Sequence, residues 1–116
     1  MMSTQAAQTR LDPTTDMPAL LRQTAERAVR YLNTVSERPI PASPEVLARL
    51  TDLHEPLPEL PTDPSAVIAR LDEIGSPATT ATTGGRYFGF VIGGALPAAV
   101  AASWLATAWD QDGGMV

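Results

Sequence analysis

An uncharged stretch near the C-terminus restricts the possible folds of this chain more than any other feature. From Tyr87 to Trp109 the sequence has no Asp, Glu, Lys or Arg. Its second half begins at Pro97, is rich in Ala, Val, Leu and Trp, and predicts a helix that is apolar on every side. Because such a helix is stable only when it is enclosed, the fold must provide a cover for it.

A bilayer would be one such cover, since the stretch is long enough to span it. Most of its residues, however, are Ala, Gly, Ser and Thr, and few side chains strongly favour insertion. Gly89, Gly93, Gly94 and Pro97 also interrupt the stretch and would leave backbone groups that lipid cannot satisfy. We therefore predict no membrane partner and expect protein to cover the helix, as the rest of a longer chain, a second subunit, or both.

Upstream of this stretch, residues 16–75 predict an arm of three short helices. The first has apolar residues at three- and four-residue spacing from Asp16 onward. It should end near Arg38, because Pro39 and Pro41 disfavour helical backbone.

Capping residues mark the other two helices of the arm. Ser43-Pro44 predicts the start of the second helix, and Asp63-Pro64 predicts the start of the third, which Gly75 should end. The proline-rich residues 55–61 between them predict an extended connector.

The remaining segments have less apolar character or no regular period. Residues 1–15 are rich in Ser, Thr, Gln and Ala and predict a disordered tail. Residues 76–85 are mostly Thr, Ala and Gly and predict an exposed loop, or a segment ordered only by a neighbour. Residues 86–116 begin with the aromatic segment, Arg86 to Ile92, which we expect to be short and extended before the apolar helix.

Charge and residue types exclude several functions. The formal net charge of -5 opposes binding to a polyphosphate backbone, so we expect no nucleic-acid partner. The chain has no cysteine, which excludes disulfides and thiolate metal sites and fits a cytoplasmic location. All eight basic residues are arginine, so no lysine side chain can form a Schiff base with an aldehyde cofactor.

Isolated polar residues offer little catalytic chemistry. His54 is the single histidine and has no Cys or second His at metal-ligand spacing, so we expect it to face solvent and predict no metal site. Asp52, Glu55, Glu59 and Asp63 could provide a carboxylate pair for acid–base catalysis, but the prolines between them favour solvated loop charges. No catalytic residue is predicted in this chain.

Several short motifs occur in the order and spacing of one enzyme family. The strongest block is Arg86-Tyr87-Phe88-Gly89-Phe90-Val91-Ile92-Gly93-Gly94-Ala95-Leu96-Pro97, followed by an Ala-rich helix and Ala108-Trp109-Asp110-Gln111. The weaker motifs upstream are Ala25-Glu26-Arg27-Ala28, Glu37-Arg38-Pro39, Pro58-Glu59, Pro61-Thr62-Asp63-Pro64 and Gly75-Ser76-Pro77-Ala78. Over residues 17–116 the chain resembles the group II pyridoxal-phosphate-dependent decarboxylases, the aromatic-amino-acid decarboxylase family.

The resemblance implies a fold type I α/β enzyme of the pyridoxal-phosphate-dependent transferase type, of which this chain would be the mainly α-helical N-terminal part. It also implies a homodimer whose N-terminal helices wrap around the partner subunit, an amino-acid substrate, and pyridoxal phosphate as cofactor. The family's cofactor lysine and phosphate-binding segment would follow Val116. We therefore expect a truncated segment that is inactive alone and has no cofactor-binding residue.

The same resemblance assigns substrate contacts to Tyr87, Phe88 and Phe90 at the entrance to the active site. Many family members have His-Pro before the aromatic pair, where this chain has Gly85-Arg86, so the substrate amino acid stays open. Two other interpretations of the aromatic residues remain. They could pack a core, or they could belong to a small helical interaction module that binds a partner through the surface from Phe88 to Trp109. For the whole chain, a single-span membrane protein is a third hypothesis, after the decarboxylase segment and the interaction module.

Overall fold

The computed structural model describes residues 17–90, 92, 94–111 and 113, and this part of the chain is mainly helical. Its α-helices are α1 (Met17–Thr34), α2 (Pro44–Ala48), α3 (Pro64–Gly75) and α4 (Pro97–Trp109). Short 3₁₀ helices follow the first three, over Val35–Glu37, Arg49–Leu53 and Ser76–Ala78. The described residues contain four α-helices and no strand, which confirms the mainly α-helical character predicted from the sequence.

The first helix ends where its prolines predict. After Thr34 the chain makes one 3₁₀ turn and then becomes extended at Arg38, with φ -73° and ψ 146°, because Pro39 follows. Asp16, from which the pattern of the first helix starts, lies outside the described residues. Three charged side chains of α1 are exposed to solvent: Arg22, Glu26 and Arg30. In the described part of the chain no ion pair joins them.

Both predicted caps in the arm are present. The Ser43 hydroxyl accepts a hydrogen bond from the Val46 N–H at 3.4 Å, and the Asp63 carboxylate accepts one from the Ser65 N–H at 3.2 Å. Each cap is followed by proline at the first helical position, where a missing N–H costs nothing. Gly75 is the last residue of α3, but its φ of -78° is right-handed, and the chain continues into a 3₁₀ helix.

Polar contacts hold α1 against α3. The Arg27 guanidinium donates to the Asp72 carboxylate at 2.9 Å, and both side chains are about three-quarters buried. Arg38 donates to the Ser76 carbonyl at 2.8 Å and to the Ser76 hydroxyl at 2.9 Å. Its guanidinium also lies 4.4 Å from the ring centroid of Tyr31, a distance at which a cation and an aromatic face attract.

The core is very small. Among the described residues the buried apolar side chains are those of Val35, Ile74 and Ala81. Ala81 lies in the segment 76–85, for which the sequence predicts either an exposed loop or a segment ordered by a neighbour, and at this position the chain is buried. Its N–H donates to the Ile40 carbonyl at 3.0 Å, and this bond joins the segment to the chain that follows the first helix.

The apolar helix α4 is exposed along its whole length. Every one of its residues is accessible, including Trp109 at 63% and Trp104 at 37%. The described part of the chain therefore does not supply the cover that the sequence requires. No helix among those residues combines the length and apolar character needed to cross a membrane.

Candidate functional site

The aromatic segment is tied to the chain that follows α1 by one side-chain hydrogen bond, and backbone hydrogen bonds join it to the preceding residues. The Arg86 guanidinium donates to the Arg38 carbonyl, and the Tyr87 N–H donates to the Gly84 carbonyl at 3.4 Å. Gly84 in turn donates its N–H to the Ala81 carbonyl at 3.3 Å. These bonds fix the start of the segment relative to α1.

The three residues predicted to contact substrate have two different environments. Tyr87 is half-buried, whereas Phe88 and Phe90 are each 90% exposed. The described residues therefore do not pack these two phenylalanines into a core. The structure brings the three aromatic residues together on one short segment, with two rings facing outward.

The aromatic segment is bent and not continuously extended, which corrects the sequence prediction. The Ile92 N–H donates to the Gly89 carbonyl at 3.4 Å and closes a turn, and Phe90 has a φ of 59°, in the left-handed region. Gly89 leaves room for the Tyr87 ring beside this bend, because a Cβ there would lie 2.5 Å from the Tyr87 Oη. Val91 and Gly93 are outside the described residues.

Such a surface offers apolar ring faces and one hydroxyl group for binding. Exposed phenylalanine rings present apolar faces that suit an aromatic or aliphatic side chain. A tyrosine hydroxyl adds one hydrogen-bonding group, since it can donate or accept. The chemistry available at this site is therefore recognition of a partly apolar ligand or protein surface.

The polar candidates from the sequence do not form a second site. His54 is exposed, as expected. Of the four acidic residues considered for acid–base catalysis, Asp63 caps α3 and Glu55 lies 3.6 Å from Arg70. Residues 17–90, 92, 94–111 and 113 contain no group of three potential metal ligands.

A cleft between α1 and α3 was not predicted from the sequence. It has a volume of about 570 Å³ and is lined by Arg27, Tyr31, Arg38 and Ser76, among others. The residues that meet across the cleft are 38 or more positions apart in the chain, so no local sequence pattern predicts their contact. Because Arg27 and Arg38 already bind Asp72 and Ser76, we regard the cleft as part of the α1–α3 junction.

The chain does not fit covalent attachment of pyridoxal phosphate. A lysine side chain holds the aldehyde of this cofactor in the family that the sequence resembles, and this sequence has no lysine. The chain therefore offers no lysine amine for a covalent bond to the cofactor aldehyde.

Comparisons with protein-family models, with curated proteins and with solved structures give no match for this chain. The resemblance to the group II decarboxylases thus remains a prediction from the order and spacing of motifs.

Proposed function

We propose that this chain is the N-terminal segment of a cytoplasmic, pyridoxal-phosphate-dependent amino-acid decarboxylase, a carboxy-lyase that acts as a homodimer. In that role the arm of α1 to α3 contributes to the dimer interface. Tyr87, Phe88 and Phe90 contribute to the substrate entrance, and the chain alone is inactive. The observation that carries the proposal is the block from Arg86 to Gln111, in which an aromatic segment leads into a helix with no cover of its own.

The exposure of α4 supports a role inside a larger assembly. Val100, Leu105 and Trp109 are all exposed, on a helix that carries no charged side chain. Burying one such side chain typically stabilises a protein by about 1.5–3 kcal/mol. A helix of this composition gains that stability only when other parts of a protein enclose it.

The geometry of the aromatic segment supports the assignment of a substrate entrance. Phe88 and Phe90 project from a backbone that hydrogen bonds fix at Arg86 and at Gly89. A backbone held in this way loses little conformational freedom when a ligand binds, which favours recognition.

Complementation of a decarboxylase tests the proposal. A group II decarboxylase whose own N-terminal segment has been deleted would be co-expressed with this chain. We expect recovery of pyridoxal-phosphate-dependent carbon dioxide release. The double variant Tyr87→Ala, Phe88→Ala should still assemble but raise KM, whereas the control Thr80→Ala, exposed and outside both the arm and the aromatic segment, should not. Assembly without any recovered activity, or no assembly, would contradict the proposal.

The absence of a cofactor lysine gives a second test. The purified chain, with its α-amino group acetylated to prevent reaction there, should show no aldimine absorbance when pyridoxal phosphate is added. A stable aldimine band would show that this chain holds the cofactor aldehyde on its own, which the proposal denies.

The exposed surface from Phe88 to Trp109 also favours the second candidate, a small helical interaction module that binds another protein. Reading the coding DNA past the Val116 codon in all three frames separates the two. The decarboxylase proposal expects a His-Lys pair and a glycine-rich phosphate segment to follow. Their absence would favour the interaction module.

A further inference from the structure

The cleft between α1 and α3 concentrates positive charge on a chain that is negative overall. Three arginines line it, together with two carboxylates: Arg27, Arg30, Arg38, Asp72 and Glu73. The lining therefore has a surplus of one positive charge, whereas the whole chain has a formal net charge of -5. Positive charge in a concave site attracts anions, because the low-dielectric walls focus its field.

The contacts that join α1 to α3 use only part of the hydrogen-bonding capacity of these arginines. A guanidinium group has five N–H donors. Arg27 gives one of them to Asp72, which also balances its charge. Arg38 gives two to the carbonyl and the hydroxyl of Ser76, which are neutral, and no carboxylate pairs with it in the described part of the chain. Donors and positive charge therefore remain in the cleft after the junction has formed.

Arg30 adds a second guanidinium group without a carboxylate partner. It is exposed, and among residues 17–90, 92, 94–111 and 113 it forms no ion pair. The Arg38 guanidinium lies 4.4 Å from the ring centroid of Tyr31, the residue that follows Arg30. Two uncompensated guanidinium groups therefore border the cleft near the same turn of α1.

The size of the cleft and the rest of its lining favour a small organic ligand. Its volume of about 570 Å³ lies within the range of roughly 300–1,000 Å³ that is typical of small-molecule sites. Tyr31 and Pro77 add apolar surface, which suits the carbon atoms of an organic anion. Glu73 lines the cleft from α3 and repels a compact dianion such as phosphate more than a dianion whose charges are spread apart.

We infer that this cleft binds a small organic dicarboxylate. One carboxylate accepts hydrogen bonds from Arg30 and the other from Arg38, because the planar guanidinium group matches the two oxygens of a carboxylate. The carbon chain between the carboxylates lies against Tyr31 and Pro77. The inference goes beyond the proposed function and does not depend on it, because the residues that line the cleft differ from those assigned to the substrate entrance.

Isothermal titration calorimetry of the full chain at low salt tests the class of ligand. The probes are succinate as the dicarboxylate, propionate as a monocarboxylate and inorganic phosphate as a compact anion. We expect succinate to bind several-fold more tightly than the other two, because only succinate offers a separate carboxylate to each arginine. Equal affinities for succinate and phosphate would show unselective attraction of anions and would overturn the inference, as would the absence of succinate binding.

Two arginine variants of α1 test the position of the site. Arg30 and Arg22 are both exposed and each lies four residues from Glu26, but only Arg30 is among the residues that line the cleft. Arg30→Gln should weaken succinate binding about tenfold, the effect of losing one hydrogen bond to a charged group. Arg22→Gln, which changes the net charge equally, should leave the affinity nearly unchanged. Equal losses in the two variants would show that binding follows overall charge and not this cleft.

A change on the opposite wall should act in the opposite direction. Glu73→Gln removes a negative charge that lines the cleft and should strengthen succinate binding several-fold. Glu45→Gln, at an exposed position of α2, is the control with the same change of net charge. Weaker binding by Glu73→Gln, or equal gains in both variants, would contradict the proposed placement of the ligand.

The ¹H–¹⁵N spectrum of the chain locates the ligand without any substitution. Succinate should shift the amide resonances of residues 30–34 and 73–76 most, because these segments face each other across the cleft. Largest shifts in α2 or α4 would place the ligand elsewhere and overturn the inference. Far-ultraviolet circular dichroism would check that each variant keeps its helices.

Discussion

At the scale of the residue, Gly89 provides the space that the Tyr87 ring occupies. Its missing Cβ leaves room for the Tyr87 ring, whose Oη would otherwise lie 2.5 Å from that atom. No Cβ atom tolerates so short a contact, so any side chain at position 89 must displace the ring or the backbone. The half-buried position of Tyr87 therefore depends on a neighbour two residues away.

The first prediction concerns this glycine. Gly89→Ala should displace the Tyr87 ring and shift the amide resonances of residues 86–90 in ¹H–¹⁵N spectra, while the helices stay intact. Gly85→Ala is the matched control, because a Cβ there meets nothing within 4 Å. Equal shifts in both variants would show that Tyr87 does not lie over Gly89.

The second prediction concerns the ion pair between α1 and α3. Asp72→Asn removes the charge that Arg27 contacts at 2.9 Å and should lower the free energy of unfolding by about 0.2–1 kcal/mol, as for partly exposed pairs. Thermal unfolding followed by circular dichroism measures the change. Glu73→Gln, the exposed neighbour, should have little effect. A loss of the same size in both variants would indicate a general charge effect.

At the scale of the element, the sequence predicts features that depend on neighbouring residues and does not predict those that depend on distant ones. The starts of α2 and α3 are readable from Ser43-Pro44 and Asp63-Pro64, because a cap acts only on the N–H groups of the next turn. The buried position of Ala81 is not readable, since it depends on pairing with Ile40, far away in the chain. The turn at Gly89 was also missed, because a run of aromatic residues suggests an extended strand when read alone.

The cap of α3 leads to the third prediction. Asp63→Ala removes the acceptor for the Ser65 N–H and should destabilise the helical arm by about 1 kcal/mol. Asp63→Asn should retain most of the stability, because asparagine caps nearly as well. Urea unfolding of both variants gives the comparison, and equal loss in both would mean that the charge of Asp63, not its capping, is what matters.

At the scale of the whole molecule, the described part of the chain has a helical arm with a very small core and an apolar helix outside it. The sequence predicts this imbalance, because the apolar character of α4 is visible without any structure. What covers α4 cannot be read from the sequence, since a cover supplied by another segment or subunit leaves no pattern in this chain. The same holds for the candidate site, because the sequence predicts its residues but not their ligand.

The central claim is that protein other than the described residues encloses α4. The solvent exposure of the two tryptophans on that helix tests this claim. Acrylamide quenching of their fluorescence would be measured at a concentration where sedimentation shows a monomer. We expect Trp109 to be quenched almost as readily as in the unfolded chain and Trp104 to be quenched partially, in keeping with their exposures of 63% and 37%. Blue-shifted emission that resists quenching in the folded monomer would contradict the claim, because the chain would then enclose its own apolar helix.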